Sequence, residues 1–177
     1  MIDAAVIEEY LRCVRITGED YQCRHDGVGC SVVILGEKHG DCIERSCQKK
    51  LIERLKPEYV LIEVLVALSY NTASEQTGFR KGFVCIDDED QCQVELNGLL
   101  NMSLKNVTLV GCDLSSAELY KEFGHNNRGD RKTYPKRETK MGEVITNYLN
   151  LNNSSKPLVA IIGHDHAQRQ SKIHKLL

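Results

Sequence analysis

The sequence predicts an α/β fold: a single domain over residues 1–177 with a mostly parallel central sheet of about four or five strands flanked by helices. Three observations carry this expectation. Four short apolar runs, Cys30 to Leu35, Tyr59 to Ile62, Val107 to Cys112 and Leu158 to Ile162, have the length and composition of buried strands. Segments with helical apolar spacing fall between or beside them. The first run, a helix and the second run succeed one another within about 35 residues, the size and order of a βαβ unit.

Taken in order, residues 3–14 place Ala4, Ile7, Leu11 and Val14 on one helical face. Cys30 to Leu35 is β-branched and ends at Gly36. Residues 42–55 carry Ile43, Cys47, Leu51, Ile52 and Leu55 at helical spacing, and Pro57 closes that helix. Tyr59 to Ile62 is the next strand. Phe83 to Ile86 reads as a short strand and 91–103 as a helix bearing Val94, Leu96, Leu99 and Leu100. Val107 to Cys112 closes at Asp113 and leads into a helix capped by Ser115, whose hydroxyl suits the unpaired amides of a first turn. Residues 124–135 are rich in Gly, Asn, Arg and Asp and read as a polar, mobile loop. A helix over 136–150 carries Met141, Val144, Ile145, Tyr148 and Leu149. Pro157 introduces Leu158 to Ile162, Gly163 ends it, and a short helix covers 165–175.

Composition narrows the function classes. A formal net charge of −2, with 41% hydrophobic residues and charges of both signs intermixed, gives no basic footprint for nucleic acid. The basic segment Arg128 to Arg137 reads as a solvated loop. The longest strongly apolar stretch, Tyr59 to Leu68, is too short for a bilayer span and contains Glu63. The first residues lack a basic region followed by an apolar one, so a cytoplasmic protein is expected. The eight cysteines show no two-residue gap of a zinc knuckle. Most are expected to be reduced, with Cys13, Cys30, Cys85 and Cys112 acting as small buried hydrophobes, while Cys23, Cys30, Cys42 and Cys47 could cluster.

The residues just past each strand point to chemistry. Gly36-Glu37-Lys38-His39 comes after the first, Glu63 after the second, Asp113 after the third and Gly163-His164-Asp165-His166 after the fourth. Open parallel sheets bind ligands beyond the carboxyl ends of their strands, so these groups are expected to converge there. Imidazole with carboxylate suits a divalent ion such as zinc, manganese or iron. It equally suits metal-free acid–base work, with Glu37 or Glu63 as base and a histidine as partner. The candidate metal ligands are His39, Glu37, Glu63 and His166, with Asp113 and His164 as further donors. Against this, a single Glu or His at a strand end is often a cap or a satisfied surface group, and Asp113 could serve the next helix. Glu63, beside Leu65 to Leu68, is harder to set aside because an unpaired buried carboxylate is costly. His25, His125 and His174 have no supporting neighbours.

Ile34-Leu35-Gly36-Glu37-Lys38-His39-Gly40, Val60-Leu61-Ile62-Glu63 and Ile161-Ile162-Gly163-His164-Asp165-His166 resemble the TraB/Tiki-type superfamily. That group includes TraB and GumN-like proteins, Tiki proteases, erythromycin-esterase-like hydrolases and ChaN-like haem-binding proteins. The resemblance runs over about residues 30–175 and rests on paired Gly-x-x-His segments with glutamates after the first two strands. It implies site roles for His39, His166, Glu37 and Glu63. Arg137-Glu138-x-x-Met141 is similar to the superfamily's pair before a Met-containing helix, which implies Arg137 at the site mouth as an anion or carbonyl contact. The chain is shorter than many members.

The resulting expectation is a hydrolase of peptide or ester bonds, metal-assisted, acting on a small-molecule or peptide substrate. The catalytic group is then Glu37, His39, Glu63, Arg137 and His166, with Arg137 steadying a developing oxyanion. The alternative is a haem- or iron-binding protein without turnover. A metallophosphoesterase ranks lower: Gly163-His164-Asp165-His166 is similar to that group's closing motif, but no Asp-x-His lies at the first strand. A scaffold domain that kept the fold and lost activity, and a homo-oligomer, stay open.

Overall fold

In a computed structural model, residues 5, 6, 8, 32–37, 42–66, 69–71, 107–152, 155–168 and 171–176 are described. Their elements are β1 (Val32–Glu37), α1 (Cys42–Leu55), β2 (Tyr59–Val66), β3 (Ser69–Asn71), β4 (Thr108–Asp113), α2 (Ser116–Phe123), α3 (Tyr134–Leu151), β5 (Leu158–Gly163), α4 (His164–Ala167) and α5 (Lys172–Leu176). Residues 5, 6 and 8 are helical. The strand expected at Phe83 to Ile86 and the helix at 91–103 lie outside the described residues, as do Cys13, Cys23, Cys30, Cys85, Cys92, His25 and His39.

The strands form one sheet in the order β1-β5-β2-β4-β3. Its first four strands run parallel, and β3 adds a short antiparallel edge on β4. The α/β class is therefore as the sequence predicts. β5, the last of these strands along the chain, lies between β1 and β2: Gly36 pairs with Ile162 on one side and Leu61 with Ala160 on the other.

Alternation along each strand separates two faces. Leu61, Val110, Cys112, Leu158, Ala160 and Ile162 form a core with Met141 and Ile145 of α3 and Ile173 of α5. The intervening residues Val60, Ile62, Val159 and Ile161 are fully buried too, so both faces are covered. That is why these strands read as unbroken apolar runs rather than alternating ones.

Helix α1 spans the residues its spacing predicts, and Cys47, Gln48, Leu51 and Ile52 are its buried stripe. Helix α2 begins on the expected Ser115, in a reciprocal capping box: Glu118 N–H donates to Ser115 Oγ and Ser115 N–H donates to Glu118 Oε2. Gly124 closes it at φ 77°, the left-handed conformation that glycine adopts without strain. Helix α3 starts two residues earlier than its apolar spacing suggests, because Pro135 sits in the first turn, where no amide hydrogen is needed.

Three expectations change. First, Gly36 does not end β1: Gly36 and Glu37 continue the ladder with Ile162 and Gly163. A Cβ on Gly36 would lie 2.9 Å from Ala167 Cβ, so the glycine there admits α4 against β1 rather than turning the chain. Second, the basic segment is not simply solvated. Arg128, Thr133 and Arg137 are buried, while Arg131, Lys132 and Lys136 are exposed. Third, of the cysteines within the described side chains, Cys112 is buried and free as expected, while Cys47, one of the four that could cluster, is disulfide-bonded rather than reduced.

Candidate functional site

Strands β2 and β4 bring carboxylates to their carboxyl ends, beside the start of α3, and β5 brings the backbone amide of Gly163. Glu63 comes two residues after Leu61 and so shares its face. Against β4, the register of β2 shifts between Ile62 and Val66, an irregularity that sets Glu63 apart from the regular ladder. Asp113 is the last residue of β4 and Gly163 the last of β5. From the other side come Arg137 in the first turn of α3 and Glu138 just after it, Arg128 from the preceding segment, and His166 from α4. Asp113 (1% exposed), His166 (3%), Glu63 (4%) and Arg137 (4%) are withdrawn from water.

Arg137 is the hub. Its Nε donates to both carboxylate oxygens of Asp113, at 3.2 and 3.1 Å, and its Nη2 donates to Asp113 Oδ2 at 2.9 Å. The same Nη2 donates to Glu63 Oε1 at 2.6 Å, and Nη1 donates to the carbonyl of Arg128 at 2.8 Å. Glu63 Oε2 accepts from the backbone amide of Gly163. Arg128 in turn donates to Asp113 Oδ2 through Nη1 and to the carbonyl of Leu114 through Nη2 at 2.6 Å. Asp113 also accepts from Leu114 N–H at 2.7 Å. Buried charges require such partners, and a guanidinium offers five donors in a fixed fork.

These contacts set the electrostatics. Burial works against the charge on Arg137, but Asp113 and Glu63 together outweigh it and hold the guanidinium above its ordinary pKa. For Arg128 burial dominates, reinforced by Arg137, and its pKa falls below the ordinary value despite Asp113. Burial likewise pushes the Cys112 thiol well up, with Asp113 and Glu63 adding to it.

His166 lies between two carboxyl groups. Its Nδ1 is 3.1 Å from Glu138 Oε1 and its Nε2 is 3.7 Å from Glu63 Oε1. An ionised carboxylate can only accept, so pairing with Glu138 puts a hydrogen on Nδ1 and turns Nε2 toward Glu63. Glu138 is itself fixed, its Oε2 accepting from Lys172 N–H at 2.8 Å. The Tyr134 ring rests against the imidazole with centroids 4.4 Å apart.

The structure therefore brings together four of the residues singled out in the sequence: Glu63, Asp113, Arg137 and His166. Glu37 stands apart. It shares the face of Leu35, opposite to Ile34 and Gly36, and its Oε2 accepts from the buried Gln48 of α1 at 3.0 Å. His164 is exposed at the start of α4. His39 lies outside the described residues. Arg137 is buried and clamped on two carboxylates. Among the described residues, no group of three or more His, Cys, Asp or Glu is arranged to hold a metal ion. No helix among them is long and apolar enough to cross a membrane.

Sequence reasoning missed Arg128, Glu138 and Tyr134. Glu138 sits beside Arg137 in the motif already quoted, and that adjacency near the start of a helix was the available signal. Arg128 gave none, since an arginine in a Gly- and Asn-rich segment ordinarily faces water.

No protein-family model matches the chain. No curated protein matches it. Among solved structures, it is similar to one described as "Cofacial heme binding to ChaN of Campylobacter jejuni", at 14% identity and a TM-score of 0.41, over 82% of this chain and 75% of that one.

Proposed function

We propose that the chain is a hydrolase of peptide or ester bonds in which His166 Nε2 meets the reacting water or a metal ion that carries it. The observation behind this reading is one imidazole set between two carboxyl groups, with Glu138 bonded at Nδ1 and Glu63 facing Nε2. A carboxylate behind a histidine fixes its tautomer and raises its basicity, whether the other nitrogen binds a metal or takes a proton. Arg137 keeps Glu63 in place, and Asp113 is the counter-charge that lets Arg137 remain buried. Around His166 the described residues supply three carboxyl groups (Glu63, Asp113, Glu138) and two guanidiniums (Arg128, Arg137), a balance of the sign that favours an added cation.

A divalent zinc, manganese or iron ion, when bound, would lower the pKa of its water and supply a hydroxide nucleophile. His166 Nε2 and Glu63 are the donors the described cluster offers toward it, and His39 is the further ligand the sequence nominates. In the metal-free form, Nε2 accepts the proton of the attacking water and passes it to the leaving group.

The test is turnover of peptide and ester substrates by the purified chain, with elemental analysis and with added zinc, manganese or iron. Hydrolysis lost by about 10²–10⁴-fold in His166→Ala, and substantially in Glu138→Gln, is the expected result. Undiminished turnover in His166→Ala would overturn it. An absence of turnover together with a Soret band on adding haem would favour the binding-protein alternative, in which the same imidazole serves as ligand.

A further inference from the structure

We infer that Tyr134 is a positioning residue for His166, an inference that deepens the hydrolase reading and rests on it for the identity of the reaction. Tyr134 is the first residue of α3, three before Arg137 and four before Glu138. Residues at those spacings share one helical face, so a single turn presents a phenol ring, a guanidinium and a carboxylate to the same end of the sheet. The Tyr134 and His166 ring centroids are 4.4 Å apart with planes inclined at 59°, and the Arg137 guanidinium carbon lies 5.9 Å from the Tyr134 centroid.

Glu138 holds the imidazole at its edge. One edge bond leaves the ring able to swing about the Nδ1···Oε1 direction, and such a swing carries Nε2 away from Glu63. A tilted ring held against the imidazole, with centroids 4.4 Å apart, removes that freedom. Tyr134 thus supplies the second point of restraint, and with it Nε2 stays directed at Glu63 Oε1, 3.7 Å away. The restraint comes from the ring and not from the hydroxyl. Tyr134 is half-buried where His166 is buried, so the phenol also covers the imidazole on that side.

The experiment compares Tyr134→Phe and Tyr134→Ala in the full chain, with Tyr134→Leu as a substitute should the alanine variant fail to fold by circular dichroism. Two quantities are measured: the rate at which diethyl pyrocarbonate modifies His166 in chelator-treated protein, mapped by peptide mass spectrometry, and kcat and KM separately for the best hydrolytic substrate. The phenylalanine variant is expected to match the wild type in both. The alanine variant is expected to expose His166 to modification about fivefold faster, and to lower kcat with little change in KM. Equal modification rates in wild type and alanine variant would overturn the inference. So would a phenylalanine variant as impaired as the alanine one, which would move the role to the hydroxyl. If the wild type turns nothing over, the hydrolase reading fails, and the modification rates alone still decide the positioning role.

Discussion

Arg137 meets Asp113 along one edge of its guanidinium, Nε and Nη2 both within 3.2 Å of the carboxylate, and reaches Glu63 with the same Nη2. One arginine from the start of a helix therefore ties the ends of two neighbouring strands. The pairing spans 74 positions in sequence to Glu63 and 24 to Asp113.

Removing the shared carboxylate takes a partner from both buried guanidiniums at once. Asp113→Ala leaves Arg128 and Arg137 buried with half their compensation gone, and the expected loss is about 3–5 kcal/mol in denaturant unfolding. A loss below about 1 kcal/mol would mean that water or another carboxylate replaces Asp113 without difficulty.

Two glycines make a contrasting pair. On Gly36 a methyl would meet Ala167 Cβ at 2.9 Å, an atom fixed directly on the backbone of α4, so β1 and α4 must separate. Gly36→Ala is expected to cost about 1–3 kcal/mol. On Gly142 a methyl would meet Leu176 Cδ1 at 2.6 Å, but that atom ends a flexible side chain that is 46% exposed. Moving it offsets the helix-propensity gain of about 1 kcal/mol, so Gly142→Ala is expected to stay near wild-type stability. Thermal or chemical unfolding of both variants reads the difference directly.

The cap of α2 gives a local test with a pH signature. Ser115→Ala is expected to cost about 1 kcal/mol. Partial burial pushes the Glu118 carboxyl up, yet its bonds with Ser115 and the charges of Lys140 and Arg128 bring it below its ordinary 4.5. A carboxyl lowered in the folded state stabilises fully above its unfolded pKa, and this contribution disappears as pH falls through the lower folded value. The stability gap between wild type and Glu118→Gln should therefore narrow below pH 4.5. A gap that is flat across that range would show that the capping box does not depend on the ionised carboxylate.

Cys112 should be inert in the native protein. Burial raises its thiol pKa first, and Asp113 and Glu63 add to it, although Arg137 opposes them. Alkylation by iodoacetamide at mildly alkaline pH is expected to label Cys112 only after unfolding. The linkage has the opposite sign to Glu118: above the ordinary 9.0 the unfolded thiol loses its proton while the folded one keeps it, so stability falls as pH rises. Rapid native labelling would show that the core around β4 opens readily.

Much of the fold was legible because its signals are local. The buried strands announce themselves as apolar runs, α1 by its spacing and Pro57, and α2 by Ser115 and Glu118. Strand β3 was not, since Ser69, Tyr70 and Asn71 form three residues at an edge with no run to see. In the site, Glu63, Asp113 and His166 could be picked out by their place at strand ends. Of their partners, Arg137 was marked only by the resemblance, and Arg128 and Glu138 were not marked at all. Whether Arg128 faces water or Asp113 depends on how the segment after α2 folds back, and no periodicity records that. Glu37 shows the converse: its strand-end position is right, but the two-residue alternation of β1 gives its side chain to the α1 face and Gln48.

The place of β5 has a consequence for synthesis. On a ribosome, β1 and β2 emerge long before Leu158–Gly163, and neither hydrogen-bonds to the other in the finished sheet. Each then waits with an open edge, β1 without its β5 partner, until more than 90 further residues after β2 have been translated. Pairing so distant in sequence is slow to form, and exposed edges of apolar strands recruit one another between molecules. The nascent chain should consequently be the vulnerable form of this protein, dependent on shielding until β5 arrives to close the gap.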